Sequence, residues 1–68
     1  MEIFSKRLKE EREAKNLSQA HMARIMNITP QSYNQWESGK AYPTLTKFHK
    51  LCTYLEVSAD YLLGLSEY

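Results

Sequence analysis

Gln31, Asn34 and Gln35 sit three and four positions apart in one short segment. Each carries an amide whose paired donor and acceptor match the N6 and N7 edge of an adenine, and on a helix this spacing turns all three to one side. Pro30, just ahead of them, offers only apolar contact, for example to a thymine methyl. Other chemistry is scarce. Cys52 falls on an apolar stripe with no base beside it in the sequence, which marks a small packed hydrophobe rather than a nucleophile. His21 and His49 have no companions that would complete a metal site, and they are expected as exposed helix residues. There are no paired carboxylates, activated nucleophile or phosphate-cradling loop, so neither an enzyme nor a cofactor is expected.

The amides need a rigid helix behind them, and the flanking residues outline one. Thr29 is a good cap, Pro30 suits the first turn, and the helix runs to Ser38 and stops at Gly39, with Tyr33 and Trp36 on its buried side. Before it, Ser18 caps a helix whose apolar stripe is Ala20, Met22, Ala23, Ile25 and Met26. Asn27 tolerates a left-handed backbone and turns the chain between the two. Residues 18–38 thus read as two helices joined by a tight turn.

Three further helices follow from the same cues. Phe4 to Lys15 is rich in helix formers and lacks Gly and Pro; its thin stripe is Ile3 or Phe4 with Leu8 and Ala14, its charges form a solvated face, and Asn16 ends it before Leu17 enters the core. After the loop Lys40-Ala41-Tyr42-Pro43, Thr44 caps a helix to about Leu55 with Leu45, Phe48, Leu51, Cys52 and Leu55 as its core face. Ser58 caps a last short helix, Ala59 to Leu63, stopped by Gly64. The expected architecture is all-α, a compact bundle of five short helices forming one domain over residues 1–68.

At 68 residues the chain has room for one small domain, with 43% hydrophobic residues to build its core. No apolar run approaches the roughly 20 residues needed to span a bilayer, Met1 leads into a charged segment rather than a signal peptide, and the one cysteine forms no internal disulfide. No membrane partner is expected, and a cytoplasmic location is. Nine Lys or Arg against eight Asp or Glu give a net charge of +1, a weak electrostatic footprint for a nucleic-acid binder. The distribution is uneven, because the last thirteen residues carry Glu56, Asp60 and Glu67 and no basic residue.

The order and spacing of Arg7-Leu8, Arg12, Leu17-Ser18-Gln19, Met22-Ala23, Ile28-Thr29, Trp36-Glu37-Ser38-Gly39-Lys40, Pro43 and Leu55 to Gly64 closely resemble the Cro and repressor type of helix-turn-helix domain, the lambda repressor-like XRE family of phage repressors and small bacterial regulators. The likeness covers nearly the whole chain. It implies a recognition helix, 29–38, in the major groove of a double-stranded DNA operator. On this comparison Pro30, Gln31, Asn34 and Gln35 approach bases. Ser18, Gln19, Arg24, Thr29, Ser32, Ser38 and Lys40 approach phosphates, and Gln19 also braces the first residues of the recognition helix. Arg12 and Glu37 stand where some members form a partly buried ion pair. Three positions depart from the pattern: Pro30 replaces a polar or basic reader, Glu11 stands where many relatives have leucine, and Asn27 where many have glycine. Between Thr29 and Ser38 there is no Lys or Arg, so phosphate attraction must come from Arg24, Lys40, the first helix and backbone amides. A transcriptional repressor rather than an activator is expected, since no sensor domain, oligomerisation domain or acidic activation segment is evident. It is expected to act as a homodimer, because two copies on half-sites about 34 Å apart supply the affinity that one nearly neutral domain lacks. Its dimer surface is sought near Tyr61, Leu65 and Tyr68. The alternative is a protein-binding modulator, antirepressor-like, that caps a partner repressor through the same scaffold.

Overall fold

In a computed structural model describing residues 1–68, the chain forms α1 (Glu2–Ala14), α2 (Gln19–Met26), α3 (Pro30–Ser38), α4 (Leu45–Leu55) and α5 (Ala59–Leu63). It has no strand. Four of the five helices open on a hydroxyl cap: Ser18, Thr29, Thr44 and Ser58 each accept from the backbone N–H three residues on, at 2.9, 3.0, 3.3 and 3.0 Å. Such caps are worth about 1 kcal/mol each, a large contribution in helices this short. The same four end on left-handed residues, Asn27, Gly39, Glu56 and Gly64. At the turn between α2 and α3, Asn27 has φ 58°, and Ile28 N–H donates back to the Ala23 carbonyl, closing the end of α2 while Ile28 packs on the core.

One apolar cluster joins the helices: Phe4 and Leu8 from α1, Met22, Ala23 and Met26 from α2, Tyr33 and Trp36 from α3, Leu51 and Leu55 from α4, and Leu62 from α5. Contacts run between α2 and α3, and α1 packs on both α3 and α5, so α1 is the strut that sets the height of α3. The Ser5 hydroxyl donates to the Trp36 carbonyl at 2.8 Å, pinning α1 to the last turn of α3. Arg7 ties the other side: it donates to the carbonyls of Tyr61 and Ser66 at 2.6 and 2.7 Å and lies 4.3 Å over the Tyr61 ring.

Several sequence expectations need correction. The first helix covers Glu2–Ala14 rather than Phe4–Lys15, with Lys15 as its cap and Asn16 left-handed at φ 58°. Ala14 and Ala20 are exposed, because each lies off the side its helix buries. Leu45 is 82% exposed: as the first residue of α4 it projects beyond the edge of the core, and Phe48, Leu51, Cys52 and Leu55 carry the packing. Tyr61 is half-buried beneath Arg7 rather than exposed, while Leu65 and Tyr68 are exposed as expected, at 75% and 90%. Burial pushes the Cys52 thiol up, which disfavours its thiolate.

Candidate nucleic-acid interface

Helix α3 has two contrasting sides. Tyr33 is fully buried and Trp36 nearly so, their rings 5.7 Å apart, and they fix the helix by its inner side. Pro30, Gln31 and Asn34 are exposed on the outer side, with Gln35 half-buried beside them. The amide groups of Gln31 and Gln35 are engaged by no other side chain, so their donors and acceptors face solvent unspent.

A polar row anchors the helix from within. Arg12 Nε donates to Glu37 Oε2 at 2.7 Å and Arg12 Nη2 to Oε1 at 3.1 Å, a two-pronged bond; Arg12 Nη1 donates to the Leu17 carbonyl at 2.6 Å. The Glu37 side chain is 3% exposed and that of Arg12 10%. Burial alone would raise the Glu37 pKa, but the Arg12 guanidinium first, then the Tyr33 hydroxyl and the Gln19 amide beside it, outweigh it and hold the carboxyl below its ordinary value. The bond to Glu37 raises Arg12 in turn. The one acidic residue of α3 is therefore neutralised and withdrawn, and it presents no bare negative charge to a polyanion. Beside the pair, the Tyr33 hydroxyl is buried without a hydrogen-bond partner, and burial first, then the neighbouring Glu37 carboxylate, push its pKa above the ordinary tyrosine range.

Gln19, at the start of α2, links this row to the surface. Its Nε2 donates to Glu37 Oε1 at 3.0 Å, and its Oε1 accepts from Asn34 Nδ2 at 3.2 Å. Its side chain thus braces the middle and end of α3 through Asn34 and Glu37, not the first residues of that helix. Nothing in the sequence marks the link between Gln19 and Asn34, which depends on how closely α2 and α3 approach.

The remaining polar candidates lie on α2 and α3 or next to their ends. Ser18 and Thr29 accept from their own helices' amides and Thr29 Oγ1 donates to Ser32 Oγ at 2.9 Å, while Ser38 Oγ donates to the Gln35 carbonyl at 3.3 Å. Arg24 and Lys40 are exposed. One pairing had no signal in the sequence: His21, half-buried, meets Tyr54 Oη through Nε2 at 2.6 Å and Arg24 Nη2 through Nδ1 at 3.3 Å. This trio holds the Arg24 guanidinium against α2. His49 is exposed, no group of three or more His, Cys, Asp or Glu is placed to hold a metal ion, and no helix is long and apolar enough to cross a membrane.

Comparison with known proteins agrees with this fold. Residues 8–62 match the family model described as helix-turn-helix. Over 61 residues the chain is 46% identical to the SPbeta prophage-derived uncharacterized HTH-type transcriptional regulator YonR of Bacillus subtilis and 41% identical to the cryptic phage CTXphi transcriptional repressor RstR of Vibrio cholerae. Each alignment covers 90% of this chain but only 56% and 54% of those proteins, so the chain spans about half the length of the curated relatives it matches. In three dimensions it is similar to the restriction-modification controller protein C.AhdI of Aeromonas hydrophila, with a TM-score of 0.79 and 31% identity, covering 90% of this chain and 92% of that one.

Proposed function

The chain belongs to the helix-turn-helix family, and from that premise we propose that it is a sequence-specific DNA-binding transcriptional regulator acting as a repressor. Residues 1–68 form one reading unit that lays α3 in the major groove. The observation that carries this reading is the outer side of α3, where Pro30, Gln31, Asn34 and Gln35 lie together over a helix locked from behind by Tyr33, Trp36 and the Arg12–Glu37 pair. Gln31, Asn34 and Gln35 meet base edges and Pro30 meets a thymine methyl. Ser18, Gln19, Arg24, Thr29, Ser32, Ser38 and Lys40 meet the phosphates on either side, helped by the amino ends of α2 and α3.

With a net charge of +1, one copy has little electrostatic grip. Two copies on half-sites about 34 Å apart supply the missing affinity. A homodimer working in the cytoplasm on a palindromic operator follows. The naming of relatives as transcriptional regulators, one of them a repressor, supports this reading over the alternative of a modulator that grips a partner repressor. The test is Gln31→Ala on an operator selected from random duplexes. Discrimination is expected to fall by about 1–3 kcal/mol at one base position and to stay unchanged at the others. An unaltered preference at every position removes Gln31 from the reading set.

A further inference from the structure

We infer that Gln19 is a positioning residue that fixes the polarity of the Asn34 amide, so that Asn34 accepts adenine and rejects guanine at its base position. This rests on the reading of α3 as the groove helix.

The row starts from a group with no freedom. The Glu37 carboxylate, buried and doubly bonded to Arg12, is ionised and can only accept. Gln19 must therefore turn its nitrogen toward Glu37, at 3.0 Å; the reverse orientation would press a carbonyl oxygen against a carboxylate oxygen. Its own oxygen then faces Asn34, which must offer nitrogen in return, at 3.2 Å. A charge fixed in the interior thus sets, through two amides, which end of Asn34 points where at the surface.

One of the two N–H groups of Asn34 is used in that bond. What remains for a ligand is Oδ1 and a single N–H. Adenine presents one donor and one acceptor in the major groove, N6–H and N7, and both are matched. Guanine presents two acceptors, O6 and N7, and the fixed Oδ1 would face one of them. An untethered asparagine can rotate its amide to relieve that clash. The tethered one cannot without breaking the row, so discrimination at this position comes from a residue on α2 that need not touch the base.

The test uses the full chain, a panel of duplexes carrying each base at each operator position, and the variants Asn34→Ala and Gln19→Leu. The wild-type protein is expected to prefer adenine over guanine at one position by roughly 5- to 150-fold, the range for a bidentate amide. Asn34→Ala abolishes that preference. Gln19→Leu shrinks it several-fold at the same position and leaves the base ratios at other positions unchanged. If Gln19→Leu weakens binding to all duplexes alike, Gln19 serves only a phosphate or the fold, and the inference is overturned. A DNA-free measurement separates this from failure of the underlying reading: nitrogen–proton spectra should show the two Asn34 Nδ2 protons well separated, and drawn together in Gln19→Leu. An Asn34 signal indifferent to Gln19→Leu refutes the row itself. A responsive signal with no base preference in the wild-type protein shows instead that α3 does not read DNA, and the selectivity falls with it.

Discussion

Glu37 concentrates the physics of this chain in one carboxylate. Its pKa is depressed below its ordinary value of 4.5 because Arg12, with Tyr33 and Gln19 beside it, outweighs the penalty of burial. The folded state then holds fewer protons at this site than the unfolded chain in the interval between the two pKa values, so stability rises with pH across that interval. The contribution is full above about pH 4.5 and is lost as pH falls through the folded value. Thermal melts taken from neutral pH down to strongly acid are expected to show a falling midpoint below that point. In Glu37→Gln the acid decline should be shallower, from a lower starting stability, because Arg12 loses its charged partner. An equal acid decline in both proteins would mean that other carboxylates govern acid unfolding.

The helices owe their boundaries to single residues at their ends, and one of these is costly. Glu56 ends α4 at φ 57°, a left-handed conformation that costs a residue with a Cβ about 1–2 kcal/mol. Glycine removes that strain but adds freedom to the unfolded chain. Glu56→Gly is therefore expected to raise stability by about 0.5–1 kcal/mol in denaturant titrations, and a loss would show that the Glu56 side chain makes a compensating contact. This residue also marks what the sequence could convey about the elements. The caps Ser18, Thr29, Thr44 and Ser58 and the stops Asn27, Gly39 and Gly64 were legible because each works through its own residue type on its own neighbours. Glu56 was not, since nothing about a glutamate announces a left-handed turn. Leu45 was misplaced because periodicity gives the direction a side chain faces but not whether another helix lies there. The outer side of α3 was legible for the same reason that its core was, as the complement of Tyr33 and Trp36. Contacts such as Gln19 with Asn34 and His21 with Tyr54, 15 and 33 residues apart, depend on how the helices pack, which their local patterns do not specify.

For the molecule as a whole, the decisive property is that a nearly neutral domain of 29 × 23 × 20 Å is proposed to hold a polyanion. Withdrawing Glu37 into the interior leaves the outer side of α3 without an exposed acid, but adds no cation. Under the proposed function, affinity then comes from two copies and from phosphate contacts at the edges of α3, while selectivity comes from uncharged amides. The most direct test is fluorescence anisotropy over a salt series, with the purified protein on duplexes selected from a random pool and on scrambled controls. The proposed function requires tight binding to a palindromic motif with half-sites about one helical turn apart, and an affinity that falls steeply with salt. Weak binding that is equal on selected and scrambled DNA would contradict the claim that α3 reads sequence.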